Sequence, residues 1–529
     1  MKTKNNLLLL IALLIASCSD ANNSKNFEVS LHDKPLLEVP VQPRPLPNPD
    51  KNAYFGDLHV HTENSFDAYT FGTISTPVDA YKYARGHAIQ HPSGYLIQLS
   101  RPLDFYAVTD HGVFMGLMKE AADTTSEFSK YEFTKPLHNL NESGGTGFRD
   151  LIKRGGLFKP FGEKVREGVA DGTIDESLIL EVGRTVWQKT IKAADDAYVP
   201  GTFTTFAAYE YTSSFELYDK YLHRNVIFKN TKNLPTRLFT RSDNQDPEAL
   251  WDWMNGLRSN GVESLAIPHN SNISGGASFS LNDYNGGPID EEYAKNRSLN
   301  EPLVEITQVK GTSETHPLLS KNDEWAAFEV KTGVEAEKLL SNLKGSYVRD
   351  AYLRGLTLSE KGLTNPYKFG LIGSSDAHVG GPSDTEEVFH SKVGLLDGTA
   401  ELRGSIPFNR FYGTFLKVLR PNILKEVDGK NYFSASERLV QFAASGLAGV
   451  WAEENTREAL YDAFRRKETF GTSGPRMKVR FFAGYDLENS KLDDLSLIQD
   501  AYARSIPMGG TLNIEANKNP TFLVWAIAD

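Results

Sequence analysis

The chain has 529 residues, enough for one large barrel with insertions or for two to three smaller domains. Its 40% hydrophobic and 24% charged content is that of a soluble globular protein, and a net charge of −11 excludes a global basic field for nucleic acid. A local cationic pocket is still allowed, whereas the single cysteine excludes a disulfide framework.

At the N-terminus Lys2 and Lys4 precede an apolar run from Leu7 to Ala16 that is too short to span a bilayer, followed by Ser17 and Cys18. The segment IASC resembles the bacterial lipoprotein box, which implies cleavage before Cys18 and a lipid on its thiol. Residues 1–17 are then a signal peptide, and 18–50, ending VQPRPLPNPD, an extended tether. The expected location is the bacterial cell envelope, lipid-anchored, periplasmic or surface-exposed.

From Ala53 short apolar runs alternate with helix-like stretches. The candidate strands, in order, are AYFGDLHV, LDFYAVTD, FTTFAAYE, NVIFK, SLAIPH, PLVEITQV and FGLIGSSD. Between the first two, Thr76 caps a helix, Pro77 occupies its first turn and Gly86 follows it. Further helices are expected at DPEALWDWMNGLRSN and TREALYDAFRRKETFGTSG. This alternation predicts an α/β protein with a parallel sheet and, with about seven strands, a barrel. Polar, glycine-punctuated stretches near 115–200, 275–365 and 383–445 break the rhythm and read as insertions shaping the mouth of a pocket in a body spanning 51–475. Residues 476–529 read as a β-rich C-terminal segment. Its last strand either belongs to a longer chain or pairs backwards onto KVRFFAG.

An HxH pair such as His59 and His61 is weak by itself, because any strand puts alternate residues on one face. Of the twelve histidines, His59, His61, His111, His223, His269 and His378 sit at or beside predicted strand ends. His32, His87, His91, His138, His316 and His390 do not. Asp67, Asp110, Glu210 and Asp376 accompany the first set. Imidazole and carboxylate donors gathered on one rim suit Zn²⁺, Mn²⁺ or Fe²⁺.

These motifs resemble the polymerase and histidinol phosphatase (PHP) superfamily, and within it the DUF3604 group. The resemblance rests on His59, His61, Thr62, Ser65 and Asp67 of the opening HxHT motif and on Thr109, Asp110, His111 and Gly112 of TDHG. It continues through Glu210 at a strand end, His223 in HRN, His269 in IPHN, Ser375, Asp376 and His378 of SDxH, and the closing FGTSGPR. Asp67 stands where the pattern also allows histidine. The resemblance implies a distorted (β/α)₇ TIM-like PHP barrel with long loop insertions, holding two or three divalent ions (Zn, Mn or Fe). His59, His61, Glu210 and Asp376 would hold the first, Glu210, His223 and His269 the second, and Asp67, His111 and His378 the third. Asp110 would orient His111 or a neighbour.

The implied reaction is hydrolysis of a phosphate mono- or diester by a metal-activated hydroxide, with Glu210 and Asp376 at its centre. A sulfatase or amidohydrolase reaction on the same barrel, and a non-catalytic metal- or glycan-binding lipoprotein, are the alternatives. Arg224 is the first candidate to clamp the anion, against the reading of an ordinary ion pair. Lys310 and Arg476 are further cationic candidates, and His316 a candidate proton donor. Asn225 and Asn270 each follow a candidate ligand, to bind substrate or orient a turn. The expected partners are a small-molecule, lipid or glycan ester and the membrane through the lipid anchor, not nucleic acid.

Overall fold

A computed structural model describes residues 46–142, 148–215, 220–331, 343–385, 390, 392–419, 424–433, 446–487, 494 and 496–529. The expected signal peptide, Cys18, His32, most of the tether and parts of the expected insertions lie outside the described residues.

All seven expected strands form. They are β1 (Asn52–Asp57), β2 (Phe105–Val108), β3 (Thr204–Tyr211), β4 (Arg224–Phe228), β5 (Ser264–Pro268), β6 (Leu303–Gln308) and, after the short β7 (Gly311–Thr312), β8 (Gly370–Gly373). The expected helices form too: Pro77–Ala84, Pro247–Ser259 and Arg457–Arg466. The first is closed by a capping box in which Thr76 and Asp79 each satisfy the other's backbone N–H.

The arrangement corrects the expected parallel (β/α)₇ barrel. A seven-stranded mixed sheet runs β12-β11-β1-β2-β3-β4-β5, where β11 is Leu447–Ala452 and β12 Thr469–Thr472, and the hairpin of β9 (Leu424–Val427) and β10 (Lys430–Phe433) is a separate sheet. Only the β1–β2 and β2–β3 pairs are parallel, while β4, β5, β11 and β12 each pair antiparallel with their neighbours. Strands β6 and β8 pair with each other, parallel, in a separate three-stranded sheet with β7.

Two features explain the difference. Among the described residues the β3–β4 connection carries no crossover helix, and β4 pairs with β3 as an antiparallel neighbour. The segment LAGVWA, absent from the expected strand set, pairs along nearly all of β1 from Asn52↔Ala452 to Gly56↔Ala448. The sheet curls, so that Leu58, Phe105, Phe206, Ile227, Leu265, Leu303, Ile372 and Val450 share one core.

Where β1 meets β2, a Cβ on Gly56 would lie 2.3 Å from the Phe105 carbonyl oxygen, a close approach that only glycine permits.

The stretch near 115–200 is largely helical. It carries α1 (Phe148–Ala170) and α2 (Glu176–Ala197). Buried Arg154 fastens α1 by donating to the carbonyls of Thr70 (2.9 Å) and Leu140 (2.7 Å) and to Asn141 (2.7 Å). At the C-terminus β13 (Lys478–Gly484) pairs antiparallel with β14 (Thr521–Ile527), from Lys478↔Ile527 to Gly484↔Thr521. The terminal strand thus folds back onto KVRFFAG. Among the described residues no helix is long and apolar enough to cross a membrane.

Candidate metal centre

The mixed topology still delivers its polar side chains to one rim. His59 and His61 follow β1, His111 follows β2, Glu210 lies near the end of β3, His269 follows β5, and Asp376 and His378 follow β8. His223 precedes β4, and because β4 runs antiparallel to β3 its start lies at the same rim.

Four groups result, each with ligand atoms within 4.8 Å of one another: His59, His61 and Asp376; Glu210, His223 and His269; His61, Asp67, His111 and His378; and His59, His269 and Glu305. Every residue expected as a ligand is in at least one of them. Glu210 joins the groups, its Oε1 lying 2.6 Å from His223 Nδ1 and 3.6 Å from His269 Nε2, its Oε2 3.4 Å from His61 Nε2 and 3.1 Å from His111 Nδ1. Asp67 Oδ2 lies 3.1 Å from His111 Nε2 and 3.0 Å from His378 Nε2.

Hydrogen bonds behind the rings fix which nitrogen faces the cluster. His59 Nδ1 lies 2.9 Å from Glu305 Oε2, His61 Nδ1 2.8 Å from Ser65 Oγ, and His378 Nδ1 2.9 Å from the Asp376 carbonyl. Asp110 accepts from Thr62 N, Thr62 Oγ1 and Ser65 Oγ at 2.6, 2.6 and 2.8 Å. Asp110 therefore acts on the HxHT loop and, through Ser65, on His61. Ser65 Oγ also accepts the backbone N–H of His111 at 3.1 Å.

With both Nδ1 atoms engaged elsewhere, His59 Nε2 and His61 Nε2 face Asp376 Oδ1, each at 3.3 Å. All three atoms are buried without a hydrogen-bond partner, as are both ring nitrogens of His269. Buried acceptors facing one another are strongly unfavourable unless a cation or a proton lies between them. The donor set therefore fits divalent ions.

In the metal-free protein, burial opposes protonation of His59, but the charges of Asp376 and Glu305 outweigh it and raise the ring to about 10. Burial, with His378 and His111 nearby, instead lowers His61 to about 3. Burial also opposes ionisation of Asp67, yet His111 and His378 hold it well below the usual carboxylate range.

The cluster opens into a cavity of about 660 Å³ whose lining includes Asp67, His111, Glu210, His223, Asn270, Lys310, Asp376 and His378. Lys310 Nζ is paired with Asp376 Oδ2. Burial disfavours its charge, but Asp376 raises its pKa overall. Asn270 turns the chain at φ +55°, with its side-chain oxygen buried and unpartnered, and Asp376 holds the same left-handed backbone at φ +55°.

Four expected substrate-side residues are not brought to this cavity. Arg224 is buried against Glu301 (Nε to Oε1, 2.7 Å) and lines a separate cavity with Trp251 and Arg297. Successive residues on a strand face opposite ways, so the neighbour of His223 points away from the cluster. Asn225 donates to the Leu58 carbonyl at 3.1 Å, bracing the chain just before His59. Arg476 is held by the carbonyls of Pro102 and Arg101, both at 2.7 Å. His316 Nδ1 accepts the Leu318 N–H at 3.2 Å within its own turn.

Two buried acids escaped the sequence reading. Glu305 is one, and its signal was the lone charged residue inside the strand PLVEITQV. Asp57 is the other. It accepts the N–H of His59 (3.1 Å) and of Ser375 (3.0 Å), joining the loops after β1 and β8, and burial raises it to about 7. An acid directly before an apolar–HxH run was the available sign.

No curated protein and no solved structure matches the chain. The family described as "protein of unknown function (DUF3604)" matches residues 48–529. The chain therefore belongs to the DUF3604 family.

Proposed function

We propose that the protein is a metal-dependent hydrolase of phosphate esters, mono- or diesters, akin to enzymes of the PHP superfamily. The observation that carries this reading is Glu210, a buried carboxylate whose two oxygens face different histidine groups on the floor of one open cavity. Zn²⁺, Mn²⁺ or Fe²⁺ bound there would act as a Lewis acid and bring the pKa of water toward neutrality.

The chain's own residues supply the rest. Ser65 and Glu305, at the Nδ1 atoms of His61 and His59, keep Nε2 of each ring turned to the cluster. Glu210 sets the spacing of neighbouring groups. Lys310 places an ammonium beside Asp376 at the cavity wall, where it can neutralise an ester oxyanion. Tetrahedral sulfate esters meet the same charges, so the test includes one.

The test is a metal-reconstituted assay on p-nitrophenyl phosphate, bis-p-nitrophenyl phosphate and p-nitrophenyl sulfate, with Glu210→Ala alongside. Cleavage of a phosphate, lost by at least a hundredfold in the variant, is expected. Metal binding with no cleavage of any of the three, or full activity in the variant, overturns the reading. On the sequence alone we also propose export and lipid attachment at Cys18, which Cys18→Ser would abolish in a membrane-fractionation experiment.

A further inference from the structure

The cavity has two chemically different sides. Beside the histidines and carboxylates its lining includes a wall of Phe66, Phe71, Phe114 and Phe158. Phe66 and Phe158 stack in parallel, centroids 5.6 Å apart at 7°, Phe71 meets Phe158 at 5.8 Å, and Phe114 meets Phe66 edge-on at 6.1 Å. All four rings are only half-buried, so the protein itself does not finish covering them. Phe66 immediately precedes Asp67, and its ring lies 5.1 Å from that of His111, so the wall begins at the cluster.

Resting on the hydrolase reading of this cavity, we infer that the substrate is an ester of a tetrahedral oxyanion carrying an aromatic or similarly bulky apolar group on its ester oxygen. That group lies against the phenylalanine wall while the oxyanion lies on the polar side near Lys310. Size agrees: a phosphoryl group displaces roughly two water volumes of about 30 Å³, and most of the 660 Å³ is left for the rest of the ligand. Energetics agree as well, since half-buried rings lining a water-accessible cavity gain from apolar contact and from offset or edge-to-face stacking. A small polar alcohol would leave all four rings wet. The wall is also well founded, because α1, which carries Phe158, is fastened by Arg154 to Leu140 and to Thr70, the last residue of the short helix that begins at Phe66.

Calorimetry on the metal-loaded full chain tests this without turnover, using benzylphosphonate against methylphosphonate. The two share a head group and differ by one phenyl ring, whose burial predicts tighter binding of the benzyl compound by tenfold or more. Phe158→Ala and Phe71→Ala, each checked for an unchanged melting curve, are expected to reduce that preference to threefold or less while leaving methylphosphonate affinity in place. Equal binding of the two ligands by the wild type overturns the inference, and so does a benzyl preference that both variants retain. Failure of the hydrolase reading has a different signature: the preference holds, but no ester is cleaved. If neither phosphonate binds, both fall.

Discussion

The carboxylate of Glu305 lies 2.9 Å from Nδ1 of His59, on the side of the ring turned away from the Asp376 oxygen that its Nε2 faces at 3.3 Å. One buried acid thus decides which nitrogen of a candidate ligand is free. Glu305→Gln keeps the volume and an acceptor but removes the charge, and is expected to weaken metal binding at the His59 group by 10- to 100-fold. Competition with a graded series of chelators measures it. Unchanged affinity would mean that Glu305 is merely a core carboxylate.

Sharing makes Glu210 different from the residues around it. Its removal disturbs the groups containing His61, His111, His223 and His269 together, so Glu210→Ala is expected to lose more bound metal than His223→Ala. His59→Ala is expected to empty only the two groups that contain it. His390 packs 6.2 Å from Tyr83 and belongs to none of the groups, so His390→Gln should leave metal content at the wild-type level. Elemental analysis of the four variants decides, and equal loss in all of them would place the site elsewhere.

Metal affinity should rise with pH. The metal-free His59 ring is raised to about 10 from the ordinary histidine value near 6.5, because Asp376 and Glu305 outweigh burial. At neutral pH a proton therefore occupies the ring and must leave when a cation binds. Raising the pH through the range below about 10 removes that competitor. Binding measured at pH 6.5, 7.5 and 8.5 is expected to tighten at each step, and calorimetry in buffers of different ionisation enthalpy should report proton release. Affinity that is flat or falls over this range contradicts the assignment.

Two cations near the site should behave in opposite ways. Arg224 is buried against Glu301, and losing one partner of such a pair costs about 3–5 kcal/mol. Arg224→Ala is therefore expected to lower the melting temperature sharply, with KM for p-nitrophenyl phosphate unchanged in the fraction that folds. Lys310→Met is expected to leave melting nearly unchanged and to raise KM by about tenfold, the loss of one charge-assisted contact. Thermal melts and steady-state kinetics on both variants would expose a reversed assignment.

The strands and the rim histidines were legible because both are local signals. Alternation marks a strand, and a histidine or acid at its end marks the rim whichever way the strand runs. Direction was not legible. NVIFK gives no sign that β4 runs against β3, and β5, which again points the way of β1–β3, therefore pairs antiparallel with β4 from Arg224↔Pro268 to Phe228↔Ser264. The neighbour of β1 comes from Leu447–Ala452, about 400 residues further along, a distance at which no sequence pattern reports pairing. Helix α1 was obscured by Gly155, Gly156 and Pro160 within it, and with it Phe158. Arg224 and Asn225 were drawn to the site by adjacency to His223, which on a strand is a reason to expect the opposite face for the first of them. Glu305 was hidden by its strand, since a buried acid reveals its purpose only through the partner it meets.

The left-handed turns at Asn270 and Asp376 bear on how this cavity can change. At φ +55° most side chains are disfavoured, leaving mainly Gly, Asn and Asp, so the cavity floor is close to frozen against substitution. Phe158 lies in α1 at no left-handed position, so Leu, Tyr or Trp there meets no such backbone cost. New specificities in this family should therefore arise by repainting the wall while the floor stays constant, and a selection for altered substrates would be expected to collect its substitutions in 148–170 and almost none at 270 or 376.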